Sequence, residues 1–239
     1  MRTLVIQSFR TVNVPGWVNA CLASVRRWCE TSAFDYRFVG DEMFDRVPGW
    51  YLEKTGRGPV AADYARLLLL QQALDKDGYD QAVWLDADVF VMDAHMVLEC
   101  GGSCAFGQEV WVQENNGRLQ ARTNIHNAVC LFRRGSSVLP FLAETVASII
   151  RRADPAHIAP QMVGPKLLSA LHSLYDFELL PQVGAVSPLV AANLAAGHGE
   201  ALGLLKKQSP VPLRAMNLCA SLIEDNLADK VIANLHLLA

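Results

Sequence analysis

The feature that most constrains the fold is an apolar segment, residues 81–85, that leads directly into two aspartates, Asp86 and Asp88. Its β-branched and aromatic content is typical of a buried strand. Taking a carboxylate out of water costs several kcal/mol unless a cation meets it. Two carboxylates at the mouth of a buried strand therefore predict a bound cation, and their hard oxygen ligands favour Mg²⁺ or Mn²⁺ shared with a substrate phosphate.

We expect residues 83–91 to form the central strand, in which alternate side chains point to opposite faces. Asp86 and Asp88 would then share one face, and the small Ala87 would point the other way. Such a pair can hold one divalent ion that bridges to a diphosphate. A solvated pair at a strand-to-loop corner would show the same pattern, so the motif alone does not decide.

The first 40 residues predict a strand, a helix and a strand, at residues 3–7, 17–31 and 34–39. This order is typical of a parallel sheet covered by helices, and ligands of such sheets bind at the carboxyl ends of the strands. The remaining pattern predicts helices at 60–74, 139–152 and 163–171 and strands at 105–114, 128–133 and 177–181. Asn115-Asn116-Gly117 indicates a hairpin turn, and residues 191–207 carry no clear pattern.

Composition limits the class of protein. A chain of 239 residues with 51% hydrophobic content predicts one folded domain, and a net charge of −3 argues against a nucleic-acid-binding protein. The apolar core of the first strand is too short for a signal peptide, and no stretch reaches the roughly 20 apolar residues of a membrane span. We expect a cytoplasmic protein whose six scattered cysteines are free thiols.

The helix before the acidic pair carries a second charged pattern. Asp63 and Arg66 are three residues apart, so they lie on one helical face and can pair while facing a ligand. An ordinary surface ion pair would have the same spacing.

These two segments together resemble a known family. Ala62-Asp63-Tyr64-Ala65-Arg66-Leu67-Leu68-Leu69, followed by Tyr79-Asp80-Gln81-Ala82-Val83-Trp84-Leu85-Asp86-Ala87-Asp88, is similar to the core of glycosyltransferases with a D-x-D motif and the GT-A fold. The pattern resembles retaining members: the mannosyltransferases, the glycogenin-like enzymes and the glycosylating toxins. The resemblance implies an α/β fold with one open, mixed, mainly parallel sheet flanked by helices, in a single Rossmann-like catalytic domain spanning 1–239.

The resemblance also implies roles. Asp86 and Asp88 would bind Mn²⁺ or Mg²⁺ and the diphosphate of a UDP- or GDP-sugar, with Ala87 between them at the nucleotide. Asp63 and Arg66 would contact the donor sugar or ribose. Gln7, Ser8 and Phe9 occupy the positions at which such enzymes hold the nucleoside.

Later segments complete the expected site. Asn127, in a segment similar to the family's donor-facing strand, would face the donor sugar, although Val129 stands where glycine is usual. Gln161 would approach the reactive face of the sugar. His198 would complete the metal shell, with His236 as an alternative; the same carboxy-terminal part of the chain could instead supply Asn217 near the diphosphate.

The expected activity is transfer of the sugar to a glycan, a lipid-linked saccharide or a protein, with retention of configuration. Residues 1–114 would bind the nucleotide sugar and residues 115–239 the acceptor side. A nucleotidyltransferase is an alternative, but residues 7–13 lack the glycine-rich, basic phosphate loop typical of that class. A binding module that keeps the fold without catalysis is the other alternative.

Overall fold

The computed structural model describes residues 1–238. Nine strands occur in it: β1 (Thr3–Ser8), β2 (Asp35–Val39), β3 (Gln81–Leu85), β4 (Val89–Val91), β5 (Cys104–Asn115), β6 (Arg118–Arg133), β7 (Glu178–Leu180), β8 (Val183–Ala185) and β9 (Ala215–Asn217). Eight α-helices accompany them: α1 (Gly16–Thr31), α2 (Gly49–Thr55), α3 (Pro59–Asp75), α4 (Val138–Arg152), α5 (Pro165–His172), α6 (Pro188–Ala196), α7 (Glu200–Gln208) and α8 (Asp225–Asn234).

Six strands form the main sheet in the order β2-β1-β3-β6-β5-β7. The β1–β2, β1–β3 and β5–β7 pairs are parallel, and β6 runs antiparallel to both of its neighbours. A smaller sheet has the strand order β4-β9-β8, and its first strand in the sequence, β4, follows β3 directly. The expected α/β class and the open, mixed, mainly parallel sheet are confirmed.

Both faces of the main sheet are covered. Leu4, Ile6 and Trp84 face the side on which α3 and α4 pack, and Val5 and Val83 face the side of α1. This two-sided burial explains why the strands are almost continuously apolar.

The β5–β6 hairpin projects beyond the rest of the sheet. Its turn places Asn116 at φ 52° and Gly117 at φ 72°, both left-handed, as a two-residue hairpin turn requires. Val110 and Val112 on one face of the hairpin pack with α6 and α7. The turn that Asn116-Gly117 predicted is confirmed, and β6 begins ten residues earlier than the expected strand 128–133.

The prediction of one strand over residues 83–91 is wrong. β3 ends at Leu85, and β4 starts at Val89 in the other sheet, where it pairs with β9. Asp86, Ala87 and Asp88 therefore form a turn between two sheets. The apolar residues on both sides of the turn are buried in either arrangement, so periodicity could not reveal the break.

Residues 191–207, which had no clear pattern, belong to two short helices. Ser187 begins α6, accepting a hydrogen bond from Val190 N–H, and Gly197 ends it in the left-handed conformation. None of the helices within residues 1–238 combines the length and apolar character that crossing a bilayer requires.

Candidate active site

Backbone hydrogen bonds fix the Asp86–Asp88 turn on two sides. Asp86 N–H donates to the Ala128 carbonyl of β6 at 2.8 Å. Leu218 N–H, directly after β9, donates to the Asp88 carbonyl at 2.9 Å. The turn is thus held between the main sheet and the smaller one.

The Asp86 carboxylate is anchored through one of its oxygens. Trp84 Nε1 donates to Asp86 Oδ1 at 2.6 Å, and an Arg66 guanidinium nitrogen lies 3.3 Å from the same oxygen. The Asp86 side chain keeps 26% of its surface exposed. One carboxylate oxygen is therefore fixed by the protein while the group stays open to the cavity.

The Asp88 carboxylate is anchored in a similar way by the loop after β9. Ala220 N–H donates to Asp88 Oδ2 at 2.7 Å. Cys219, at φ 56°, turns the chain there, and its N–H donates to Asn217 Oδ1 at 2.6 Å. Burial, followed by the neighbouring charge of Asp86, raises the pKa of Asp88 to about 6.

Arg66 connects Asp86 to a buried polar cluster beneath the turn. Its guanidinium lies 3.2 Å from Asp63 Oδ1 and donates to the Asn127 carbonyl at 2.6 Å. Asn127 Nδ2 donates to Asp63 Oδ1 at 2.8 Å. Burial raises the pKa of Asp63 to about 6, although Arg66 and Asn127 act in the opposite direction.

Gly164, directly before α5, closes this cluster. A Cβ atom at this position would lie 2.5 Å from Asp63 Oδ2 and 2.9 Å from Asn127 Nδ2. Only glycine lets the start of α5 approach the cluster so closely. As a result, Gln161 and Lys166 near the start of α5 reach the space above the cluster.

That space is an open cavity of about 800 Å³. Asp86 and Asp88 lie on its floor, between walls formed by the β5–β6 hairpin, by α5 and by the loop after β9. The lining residues with polar side chains are Asp86, Asp88, Glu109, Gln113, Arg122, Asn124, His126, Asn127, Gln161, Lys166, Ser169, Asn217 and Ser221.

Solved structures share this arrangement of sheets and helices. A glycosyltransferase involved in glycosylation of the major capsid of PBCV-1 matches with a TM-score of 0.56 at 13% identity, covering 97% of this chain and 99% of that one. Mouse xyloside xylosyltransferase 1 matches with a TM-score of 0.51 at 11% identity, covering 93% and 99%. The fold is that of GT-A glycosyltransferases. No family model matches the chain, and the curated proteins contain no significant sequence match.

Within this GT-A fold, the structure brings four of the expected site residues to one cavity. Asp86, Asp88, Asn127 and Gln161 all line it. Their closeness follows from the topology, because β3 and β6 are neighbours and Gly164 draws the start of α5 against them.

Asp63 and Arg66 lie under the cavity instead of in its wall. Both are buried, and only 8% of the Arg66 side chain is exposed. Their contacts are with Asp86 and Asn127, so they support the two cavity residues from behind. Arg66 Nε is buried without a hydrogen-bond partner within residues 1–238.

Gln7, Ser8 and Phe9 are not among the cavity-lining residues. Gln7 is fully buried, donating to the Asp86 carbonyl at 3.1 Å and accepting from Tyr36 OH at 3.1 Å. Ser8 and Phe9 are partly exposed at the end of β1. Ala87 is buried in the turn between the two aspartates, packed with the α6–α8 side of the core.

His198 lies in the exposed connection between α6 and α7 and does not line the cavity. Asn217, which was considered as a residue near the diphosphate, does line it. In the part of the chain that the structure describes, no three His, Cys, Asp or Glu side chains are grouped so that they could hold a metal ion.

The two aspartates nevertheless fit a divalent cation. Arg66 pairs with two carboxylates, Asp63 and Asp86, and Asp88 adds a third nearby, so the carboxylates of this cluster outnumber its guanidinium. The protein contacts described above use one oxygen of each cavity aspartate, Asp86 Oδ1 and Asp88 Oδ2. The second oxygens are hard ligands of the kind Mg²⁺ takes when substrate phosphates and water complete its shell.

Several contributors were missing from the sequence prediction. Ala220 acts through its backbone N–H, for which the sequence carries no signal. Trp111 and Arg122 lie on the cavity face of the hairpin, where only the exact register shows which side chains point inward. Gly164 carries no distinguishing signal either, because Gly58 also stands directly before a Pro-initiated helix, yet a Cβ atom there would meet nothing nearer than 4.0 Å.

Proposed function

We propose that the protein is a metal-dependent glycosyltransferase that transfers a sugar from a UDP- or GDP-sugar to an acceptor. One observation carries the proposal: two anchored aspartates, each with an oxygen to spare, lie on the floor of a large cavity at the end of β3. In open α/β sheets this is where ligands bind. The fold shared with solved glycosyltransferases supports the same reaction class.

Asp86 and Asp88 would hold Mn²⁺ or Mg²⁺ through their unused oxygens. When bound, the cation supplies Lewis-acid stabilisation of the charge that develops on the departing diphosphate. The protein supplies fixed ligands, because Trp84 and Arg66 orient Asp86 and the Ala220 N–H orients Asp88. Fixed ligands avoid reorganisation at the moment of reaction.

Asn127 and Gln161 would face the transferred sugar, since both line the cavity near the aspartates. Asp63 and Arg66 hold Asn127 from behind and leave its backbone little freedom. Ser8 and Phe9, at the end of β1, would contact the nucleoside. Gln7 would act through the Asp86 carbonyl that it binds.

We further propose that configuration is retained, as in the enzymes that share the Asp63-x-x-Arg66 and Asp86-x-Asp88 pattern. The donor would enter along the side of the cavity nearest β1 and the acceptor along the hairpin. Glycan, lipid-linked saccharide and protein acceptors are all compatible with a cavity that is open to solvent.

The test is calorimetric titration of the protein with UDP-sugars and GDP-sugars, with and without Mn²⁺ or Mg²⁺. We expect metal-dependent binding that weakens on the order of 100-fold in Asp88→Ala, because a direct ligand is lost. Asp176→Asn is the control, since the Asp176 side chain is fully exposed in the loop that follows α5.

Three outcomes separate the alternatives. Absence of metal-dependent nucleotide-sugar binding, or unchanged binding in Asp88→Ala, would contradict the proposal. Binding without transfer to any acceptor or to water would support a binding module. Release of pyrophosphate from a nucleoside triphosphate and a sugar phosphate would support a nucleotidyltransferase.

A further inference from the structure

The β5–β6 hairpin has two chemically different faces. On one face, Val110 and Val112 are buried against α6 and α7. The alternate residues Glu109, Trp111 and Gln113 point to the other face and line the cavity. Because successive residues of a strand point to opposite sides, the face that carries Glu109, Trp111 and Gln113 forms a wall of the cavity.

Trp50 and Trp111 are the two tryptophans that are only partly buried, and of these Trp50 packs against Arg151 and Tyr51, whereas Trp111 lines the cavity. Trp17, Trp28 and Trp84 are buried, and each donates its indole N–H to a protein acceptor. Trp111 is only partly buried on the cavity wall, and the hydrogen bonds formed within residues 1–238 include none from its indole N–H. A large aromatic face and a free donor are therefore both available to a ligand.

The neighbours of Trp111 supply hydrogen-bonding groups. Arg122 is directly opposite Trp111 in the register of the hairpin, lines the cavity and forms no ion pair with residues of the described chain. The adjacent cross-strand pair is tied together, with Asn124 Nδ2 donating to Glu109 Oε1 at 3.1 Å. A flat aromatic surface is thus bordered by a free guanidinium, an amide and a carboxylate.

The position of this wall in the sheet favours binding of the acceptor over binding of the nucleotide. β5 lies two strands from β3 on the side away from β1, where the nucleoside is proposed to bind. Along β6, Arg122 precedes Ala128, which binds the Asp86 backbone, by six residues. Between Arg122 and His126 the strand pairs regularly and spans about 14 Å at about 3.4 Å per residue, and residues 127–129 lie at the register shift of the hairpin. The wall is therefore more than one sugar ring away from the Asp86 turn.

We propose that the Trp111 wall is a distal acceptor subsite that binds a pyranose ring of a saccharide, an inference that rests on the proposed function. One face of a pyranose carries C–H groups that can lie on the indole. Its rim of hydroxyl groups can accept from Arg122 and Asn124 and donate to Glu109. The acceptor is accordingly an extended saccharide with a unit bound away from the reacting centre.

The experiment measures two affinities separately. Saturation-transfer NMR with maltose, cellobiose, lactose and mannobiose reports saccharide binding, and calorimetry with UDP and GDP in the presence of Mn²⁺ reports nucleotide binding. We expect at least one disaccharide to bind the unaltered protein and Trp111→Ala to weaken it roughly tenfold. Nucleotide affinity should stay unchanged.

Two further variants make the result specific. Trp111→Tyr keeps an aromatic face and should regain most of the affinity, and Arg122→Gln should weaken binding without loss of thermal stability. Tyr175→Ala, which removes an exposed aromatic ring that does not line the cavity, should change neither affinity.

The outcomes distinguish this subsite from the proposed function. If no disaccharide binds, or if Trp111→Ala binds saccharides as tightly as the unaltered protein, the subsite is refuted. Loss of nucleotide affinity in Trp111→Ala would assign the wall to the nucleoside and also refute it. Saccharide binding that depends on Trp111, without any nucleotide binding, would support the subsite and contradict the donor proposal alone.

Discussion

Arg66 and Asp86 meet beneath the cavity, with a guanidinium nitrogen 3.3 Å from Asp86 Oδ1 and only 8% of the Arg66 side chain exposed. The same guanidinium binds Asp63 and the Asn127 carbonyl. It therefore connects a carboxylate of the cavity floor with a residue of the cavity wall. A change at Arg66 should affect both stability and ligand binding.

Arg66→Lys tests this connection. Lysine keeps the charge but cannot reach three partners with a planar fork, so part of a buried network loses its hydrogen bonds. We expect the free energy of unfolding to fall by about 2–4 kcal/mol. Metal-dependent nucleotide affinity should fall at least about tenfold, as for groups that orient metal ligands. Urea unfolding and calorimetry measure the two effects.

The control is Arg134→Lys, because Arg134 pairs with Asp80 at a site where about half of each side chain is exposed. Exposed pairs contribute little, so neither stability nor affinity should change appreciably. Loss of stability in Arg66→Lys with full nucleotide affinity would show that Arg66 supports the fold without orienting Asp86.

Asp63→Asn tests the cost of burying a carboxylate. The pKa of Asp63 is raised from 3.8 to about 6, mainly by burial. Between these values the folded state binds more protons than the unfolded state, so the Asp63 contribution to stability falls as pH rises through this window. A pKa that is higher by about two in the folded state corresponds to about 3 kcal/mol of folding free energy. We expect Asp63→Asn to gain about 2 kcal/mol relative to the unaltered protein between pH 4 and pH 7.5, because part of the window lies below pH 4. Urea unfolding measures the gain.

Asp80→Asn should show the opposite dependence of stability on pH. The backbone N–H of Arg2 lowers the pKa of Asp80, so its contribution is present above the unfolded value and is lost as pH falls. The Asp80 variant should therefore lose stability relative to the unaltered protein as pH rises. The same trend with pH in both variants would contradict the assignment of the raised pKa to Asp63.

Gln7→Met tests whether the Asp86 backbone needs its side-chain support. Methionine fills a similar volume but leaves the Asp86 carbonyl and Tyr36 OH without their partner. Since Gln7 is fully buried, we expect a loss of about 1–3 kcal/mol in unfolding free energy and weaker metal-dependent nucleotide binding. Tyr36→Phe should cost less and leave nucleotide affinity intact, because Gln7 still holds Asp86.

Gly164→Ala tests the close approach of α5. The added methyl group would lie 2.5 Å from Asp63 Oδ2, so the start of α5 or the buried cluster must shift. We expect a loss of about 1–3 kcal/mol in unfolding free energy and weaker nucleotide-sugar binding. Gly203→Ala is the matched control: no atom lies within 4 Å of its added Cβ, and in the interior of α7 alanine should stabilise by about 0.5–1 kcal/mol.

The sequence predicted the elements that rest on local patterns. The helix expected at 60–74 corresponds to α3, Asn116-Gly117 marks the hairpin, and the apolar run before Asp86 marks β3. These signals depend on neighbouring residues, so they can be read from a single chain. The closeness of Asp86 to Asn127 also follows once β3 and β6 are paired.

The rest depends on contacts between distant parts of the chain. The Ala220 N–H donates to Asp88, which lies 132 positions earlier in the sequence. No residue type predicts that its backbone N–H will bind a distant side chain. Arg66 has the same spacing from Asp63 whether the pair is exposed or buried, so the sequence could not show that it supports Asp86 from behind. The break between β3 and β4 depends on the pairing of β4 with β9, which is likewise non-local.

Glu109→Gln tests the stereochemical proposal together with the distal place of the hairpin wall, because Glu109 is the one carboxylate besides Asp86 and Asp88 that lines the cavity in the described chain. An inverting reaction would require Glu109 to reach the acceptor hydroxyl that reacts, whereas the distal subsite holds it away from the reacting centre. A general base contributes about 10²–10⁴-fold, so its removal would lower kcat by that factor if the enzyme inverted. With retention, we expect kcat to fall less than about tenfold while KM for the acceptor rises, since Glu109 also borders Trp111 and binds Asn124. Proton NMR of the fresh product should show the anomeric configuration of the donor in both proteins. An inverted product, or loss of kcat with unchanged KM, would assign Glu109 as the base.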